Sequence, residues 1–198
     1  VPADGKGAPV DRVEIRRVTL RDKPAPAPEP FSSEPPADLA AYRATIETSM
    51  GNIGVELFPD RAPNHVRNFL RLAQAGVYDG TAFHRVVRGF VVQGGHLPTR
   101  KEPLAESQQR FVRNLQPEFN DTPHDKGILS MARLDDPASA NTSFFIVTAR
   151  TPALDGKYTV FGRVVEGLDV VERIEASPVT GETPVTRVEV TRVSVVKK

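Results

Sequence analysis

Cysteine is absent from the 198 residues, which excludes disulfides and thiolate chemistry and removes any trace of the redox compartment. A charge excess of either sign is also missing. The 26 basic and 25 acidic residues leave a net charge of +1, so nothing electrostatic argues for a nucleic-acid partner. No apolar run approaches the roughly 18 residues that a membrane-spanning helix needs. The four histidines (His65, His84, His96 and His124) are scattered without the close spacing of a metal site, so they read as non-ligand histidines. An initiator methionine is missing too: a chain that starts at Val1 reads as a processed or truncated product, from which a targeting signal would already be gone. The missing initiator and a proline-rich linker lean toward an extracytoplasmic site, and a truncated cytoplasmic chain explains both as well.

What is present divides into three parts. Residues 24–36, "PAPAPEPFSSEPP", are too rich in proline to hold a helix or a central strand and read as a linker, taken as 24–40. The globular pattern occupies 41–198, long enough for one well-buried domain. "RATIETSMGNIGVELF" reads as two strands around a turn at Met50-Gly51-Asn52. "APNHVRNFLRLAQAG" reads as a helix, with Pro63 in its first turn and Gly76 just past its end. Its buried stripe is Val66, Phe69, Leu70 and Ala73. Strand-like runs follow at "TAFHRVV", "GFVVQGG", "GILSMAR", "SFFIVTA" and "YTVFGRVV". A second helix is read at "LDVVERIEA" and a closing strand at "TRVEVTRVSVV", with a short helix in the excursion "RKEPLAESQQRFVRNLQ". Many short strands with two principal helices predict a mainly β fold, a closed antiparallel barrel whose ends the helices plug.

Residues 1–23 hold a repeat. "PVDRVEIRRVTL" from Pro9 matches "PVTRVEVTRVSV" from Pro184 at seven of twelve positions, at an offset of 175. The two also share a slip of phase: Val188 and Val190 alternate, then Val193 and Val195 resume one residue out of step. Such a slip predicts a β-bulge. Residues 1–23 therefore read as the last strand of a preceding tandem copy, expected to pair over residues 10–20 with its own barrel or a neighbouring chain, because its valines gain by burial.

The stretch "FHRVVRGFVVQGG", Phe83 to Gly95, places Arg85 and Gln93 among apolar residues, where an unpaired polar group would cost a few kcal/mol. It resembles the signature of cyclophilin-type peptidyl-prolyl cis-trans isomerases. The resemblance continues through "TSMGNIGVELFPDRAPNHVRNFLRLAQAGVYDGTAFHR", "GILSMAR", "TSFFIVTA" and "LDGKYTVFGRVVEGLDVVERI", in the family's order over about residues 44–196. It implies an eight-stranded closed antiparallel barrel capped by two α-helices, with the active groove on the outer surface. It implies an isomerase that rotates Xaa-Pro bonds, assists protein folding, and needs neither cofactor nor metal. On this resemblance Arg85 matches the catalytic arginine, and Phe90, Val91, Phe145 and Leu154 match the walls of the proline pocket. Gln93 matches the glutamine that steadies arginine and substrate, Ala132 and Arg133 lie on the segment that pairs with the peptide backbone, and Tyr158 stands where many members have histidine.

Other departures bear on specificity. Val91 stands where methionine is frequent, Arg133 where asparagine is frequent, and Ala153 where a large aromatic is usual. "HLPTRKEPLAESQQRFVRNLQ" replaces a glycine-rich groove wall. The implied partners are proline-containing peptides and unfolded proteins, with cyclosporin-type ligands bound weakly, and neither nucleic acid nor membrane. The rival reading is a proline-binding module or scaffold with no relevant turnover. Phe69, Phe83, Phe144 and Phe161 are expected in the barrel interior and His84 as a satisfied structural histidine. "NTS" at Asn141 abuts a strand and is read as structural despite its glycosylation pattern.

Overall fold

In the computed structural model, which describes residues 2–11, 13–14, 17–19 and 28–198, the alternating residues 42–57 build the first hairpin. β1 (Tyr42–Thr48) pairs antiparallel with β2 (Gly51–Leu57), with Ala44, Ile46, Ile53 and Val55 turned into the core. The turn is Ser49-Met50, earlier than predicted, because Thr48 Oγ1 accepts from Met50 N at 3.0 Å and donates to Gly51 O at 2.7 Å. Asn52 thus belongs to the strand.

The remaining barrel strands are β3 (Thr81–Phe83), β4 (Arg85–Val87), β5 (Val91–Gly94), β6 (Ile128–Met131), β7 (Phe144–Val147) and β8 (Val160–Glu166), with a last strand at Val188–Lys197. Between β8 and that last strand, β9 (Val179–Thr180) and β10 (Thr183–Pro184) make a separate small hairpin, so the last strand is β11. The barrel order is β3-β11-β1-β2-β8-β6-β7-β5-β4, with antiparallel neighbours throughout. Only His84 separates β3 from β4. The first half of this segment pairs with β11 and the second with β5, so the chain itself carries the sheet from one end of the order to the other. Nine paired strands therefore trace an eight-membered ring, as predicted. The slip in β11 is a bulge: Glu47 faces Arg192 but Thr48 faces Val190, which leaves Thr191 unpaired while Val188, Val190 and Val193 all stay buried.

Among the described residues two helices longer than one turn flank the ring, with single-turn pieces α1 (Pro36–Leu39) and α3 (Glu106–Gln109). α2 (Pro63–Gln74) starts on Pro63, as its fixed φ favours, and Gly76 takes φ 67° past the end. Its predicted stripe is buried against the barrel. α4 (Leu168–Glu175) buries Val170, Val171 and Ile174. Inside, Phe69 meets Tyr78, Phe144 and Phe161 with ring centroids 5.3–5.7 Å apart, and Phe83 meets Phe144 at 6.1 Å.

The strands carry apolar residues on both faces. Val86, Val92, Leu129, Phe144, Ile146 and Phe161 belong to the main core. Their neighbours Val91, Ile128, Phe145, Val147 and Val160 form a second cluster on the outer face, joined by Leu154. Alternation along the strands therefore explains runs such as "FFIV", and the outer cluster floors the site described below.

Part of the proline-rich stretch is packed. Phe31 is buried edge-on to Tyr42 at 5.0 Å, and Arg67 donates to Phe31 O and to Glu34 O. Arg71 on α2, only 1% exposed, meets Glu29 at 2.6 Å, and Arg113 grips the same oxygen at 2.6 Å. The body of the domain thus takes in residues from Glu29 onward, upstream of the expected boundary at 41. Of the segment expected to pair as a strand, Arg12, Ile15, Arg16 and Leu20 and residues 21–27 lie outside the described residues. Val10, Val13 and Val18 are exposed, and no strand forms among its described residues.

Candidate active site

Arg85 and Gln93 of "FHRVVRGFVVQGG" face each other across the β4–β5 ladder, while Val86 and Val92 point inward. Both polar side chains therefore stand on the outer face. They open onto a cleft of about 250 Å³ whose apolar part is lined by Phe90, Val91, Phe145 and Leu154, and whose far wall is Ala132, Arg133 and Tyr158. All nine residues predicted for the site meet in this one cleft. The excursion 97–127 contributes none of its lining.

The floor is Phe145, buried and braced on two sides. Tyr158 stands edge-on to it at 5.6 Å, and the His124 ring lies stacked behind it at 6.2 Å. Asp155 holds His124 through the backbone N–H at 2.8 Å and Nδ1 at 3.0 Å, while Nε2 lies 3.2 Å from Ser130 Oγ. The Arg150 guanidinium at 2.5 Å, with the His124 N–H, holds the Asp155 carboxyl down to about 2. Burial outweighs that attraction at His124 and keeps its imidazole below the ordinary range, so a neutral ring backs the floor. Sequence reasoning had no means of finding this support.

Arg133 stacks its guanidinium over Tyr158 at 4.6 Å and donates to Leu134 O at 2.8 Å, Asp135 O at 3.1 Å and Lys157 O at 3.3 Å. Its charge is thus saturated by backbone carbonyls. Arg85 is tied otherwise: Nε donates to Glu182 Oε2 at 2.5 Å and Nη2 to Glu182 Oε1 at 3.2 Å. No hydrogen bond joins Arg85 to Gln93 among the described residues, so the expected steadying of the arginine by Gln93 is not the arrangement present.

A second hollow of about 250 Å³ adjoins the first, sharing Gln93, Ala132 and Arg133, and His84 and His96 line it. Their rings lie 4.8 Å apart, a closeness in space that their sequence spacing did not reveal. Among the described residues His84 Nδ1 is buried without a close hydrogen-bond partner, while the backbone of Ala82 bonds the ring. Burial, with His96 and Arg85 nearby, keeps it below the ordinary imidazole range and neutral. Among the described residues no three side chains group as metal ligands. Gly95, at φ 72°, lets the chain pass close here, since a Cβ would lie 2.6 Å from Thr142 O. Asn141 keeps its amide within the loop, accepting from Thr142 N at 2.6 Å and donating to Asn114 at 3.2 Å.

The profile of the family described as cyclophilin type peptidyl-prolyl cis-trans isomerase/CLD matches residues 43–195. Peptidyl-prolyl cis-trans isomerase-like 1 of Neurospora crassa is 38% identical over 161 residues, covering 80% of this chain and 96% of that one. Peptidyl-prolyl cis-trans isomerase CYP18-2 of Arabidopsis thaliana is 41% identical over 156 residues, covering 77% and 92%. Among solved structures, a cyclophilin type peptidyl-prolyl cis-trans isomerase of Cryptosporidium parvum, crystallised in the presence of the dipeptide Ala-Pro, superposes with a TM-score of 0.70 at 28% identity, covering 79% of this chain and 99% of that one.

Proposed function

The chain belongs to the cyclophilin-type peptidyl-prolyl cis-trans isomerase family, and we propose that it rotates Xaa-Pro bonds in peptides and unfolded proteins with Arg85 as the catalytic donor. The observation that carries this reading is the cleft itself, in which a guanidinium borders a hollow walled by Phe90, Val91, Phe145 and Leu154.

The Xaa-Pro bond resists rotation because the nitrogen lone pair is delocalised into the carbonyl, and unaided isomerisation takes tens to hundreds of seconds. No bond is broken, so neither nucleophile nor proton carrier is needed. Rotation localises the lone pair on the prolyl nitrogen. A donor aimed there binds the transition state more strongly than either ground state, which is the condition for catalysis. Arg85 is always charged and can donate from one edge while the other is held. The hollow over Phe145 holds the proline ring while the preceding carbonyl swings. Gln93, whose amide has no hydrogen bond among the described residues, offers both a donor and an acceptor to the substrate backbone. An acceleration of about 10⁴ needs about 5.5 kcal/mol of differential stabilisation, within reach of one preorganised charged donor plus orientation.

Assistance to protein folding follows from the same step, since slow prolyl isomerisation limits folding. A binding module would need the hollow but not the guanidinium. A protease-coupled assay of a short Xaa-Pro peptide tests the reading: the rate of cis consumption should rise in proportion to protein concentration. No acceleration over the uncatalysed rate would leave only the binding role.

A further inference from the structure

Glu182, outside every motif of the sequence, is the sole hydrogen-bonding partner of the Arg85 side chain among the described residues. It sits at the tip of the β9–β10 hairpin, where Thr180 pairs with Thr183 and Val179 with Pro184. The hairpin is not loose. Glu182 O accepts from Val86 N at 2.7 Å, and Val185 N donates to Pro178 O at 2.8 Å. Glu175 at the end of α4 accepts from Gly89 N at 2.7 Å, on the β4–β5 turn. One residue thus grips β4 twice, through its main chain at Val86 and through its carboxylate at Arg85.

We propose that Glu182 is a positioning residue for Arg85, holding the guanidinium by its Nε and Nη2 edge and leaving Nη1 for the prolyl nitrogen. The proposal rests on the reading of Arg85 as the catalytic donor. An arginine side chain is flexible, and at 35% exposure packing alone does not fix it. A carboxylate bonded to two guanidinium nitrogens sets the plane of the fork before substrate arrives, so less reorganisation remains for the rotation step. The hydrogen bond from Arg85 holds the Glu182 carboxyl below the ordinary range, which keeps it a carboxylate. Gln93 is thereby released from holding the arginine and serves the peptide.

The test compares wild type, Glu182→Ala, Arg85→Ala and the double variant on one Xaa-Pro peptide, with kcat and KM resolved by exchange NMR, and follows the Arg85 Nε–H signal. Glu182→Ala should lower kcat by about threefold to fivefold, the effect of one exposed ion pair, with KM within about twofold. The Arg85 Nε–H signal should be lost to exchange, and Glu182→Gln should fall between. In the Arg85→Ala background, removing Glu182 should change nothing further. If Glu182→Ala keeps the wild-type kcat or exceeds it, the carboxylate does not position the donor. The same follows if it slows the Arg85→Ala enzyme as much as the wild type. Full activity in Arg85→Ala alone would instead remove the reading on which the proposal stands.

Discussion

Glu118 Oε2 lies 2.7 Å from His65 Nδ1 and accepts the His65 backbone N–H at 3.0 Å. The other oxygen takes Asn64 N at 3.1 Å and Asn64 Nδ2 at 2.8 Å. Ala62, at the N-cap of α2, has no side chain that could cap, so a carboxylate from the excursion supplies the acceptor for the first turn. Burial alone would raise the Glu118 carboxyl, but the hydrogen bonds from His65 and Asn64 outweigh it and hold the group below the ordinary range. A depressed folded value means that the stabilisation is complete above the unfolded pKa and is lost as pH falls through the folded one. Glu118→Gln should therefore cost about 1–3 kcal/mol at neutral pH. In denaturant melts the gap from wild type should close as the pH falls from the unfolded carboxylate pKa through the depressed folded one. An unchanged gap across that range would contradict the assignment.

The grip of Arg71 on Glu29 separates two truncations. Removal of residues 1–27 leaves the contacts of Glu29 and Phe31 in place, and turnover should match the full chain. Removal of residues 1–36 strips Glu29 from the nearly fully buried Arg71, and Phe31 from Tyr42 and Arg67, and should destabilise the fold by about 1–3 kcal/mol. Catalysis should survive both, since no described residue of either segment borders the cleft. The same pair of truncations tests whether residues 1–23 are the closing strand of a preceding copy that pairs with a barrel. On that proposal, deleting 1–27 would shift stability or self-association although the Glu29 and Phe31 contacts remain.

Ala153 is exposed beside Leu154, at the edge of the cleft, where a large aromatic would add apolar contact and an indole donor. Cyclosporin binding should be weaker than in relatives with tryptophan there by about 1–3 kcal/mol, the value of one buried side chain. Isothermal titration should show tighter binding for Ala153→Trp. Low-nanomolar binding by the wild type would refute the argument.

Periodicity made the barrel legible because each strand's core face is written locally. Val86 and Val92 alternate with Arg85 and Gln93, and the slip in β11 announced its bulge. Phe144 and Phe145 were assignable to opposite faces only through the resemblance, since a two-residue apolar run does not say which ring points inward. The supports of the site stayed hidden for a different reason. Glu182 is 97 residues from Arg85, Glu118 is 53 from His65, and Glu29 is 42 from Arg71. Each partner sits in a turn, an excursion or a proline-rich stretch with no period to betray its direction. The closeness of His84 and His96 was invisible for the same reason: it depends on how the β5 end folds back past β4.

The account turns on Arg85, and exchange NMR of a short Xaa-Pro peptide with Arg85→Ala tests it most directly, because it reads binding and rotation separately. The variant should bind the peptide, since the hollow over Phe145 is untouched. It should unfold within about 1 kcal/mol of wild type, because the lost ion pair with Glu182 is partly exposed. Its kcat/KM should fall by about tenfold or more, at least 1.4 kcal/mol of transition-state stabilisation. Arg85→Lys should be similarly poor, since an ammonium cannot hold Glu182 and donate from a second edge. Turnover by Arg85→Ala close to that of wild type would contradict the mechanism.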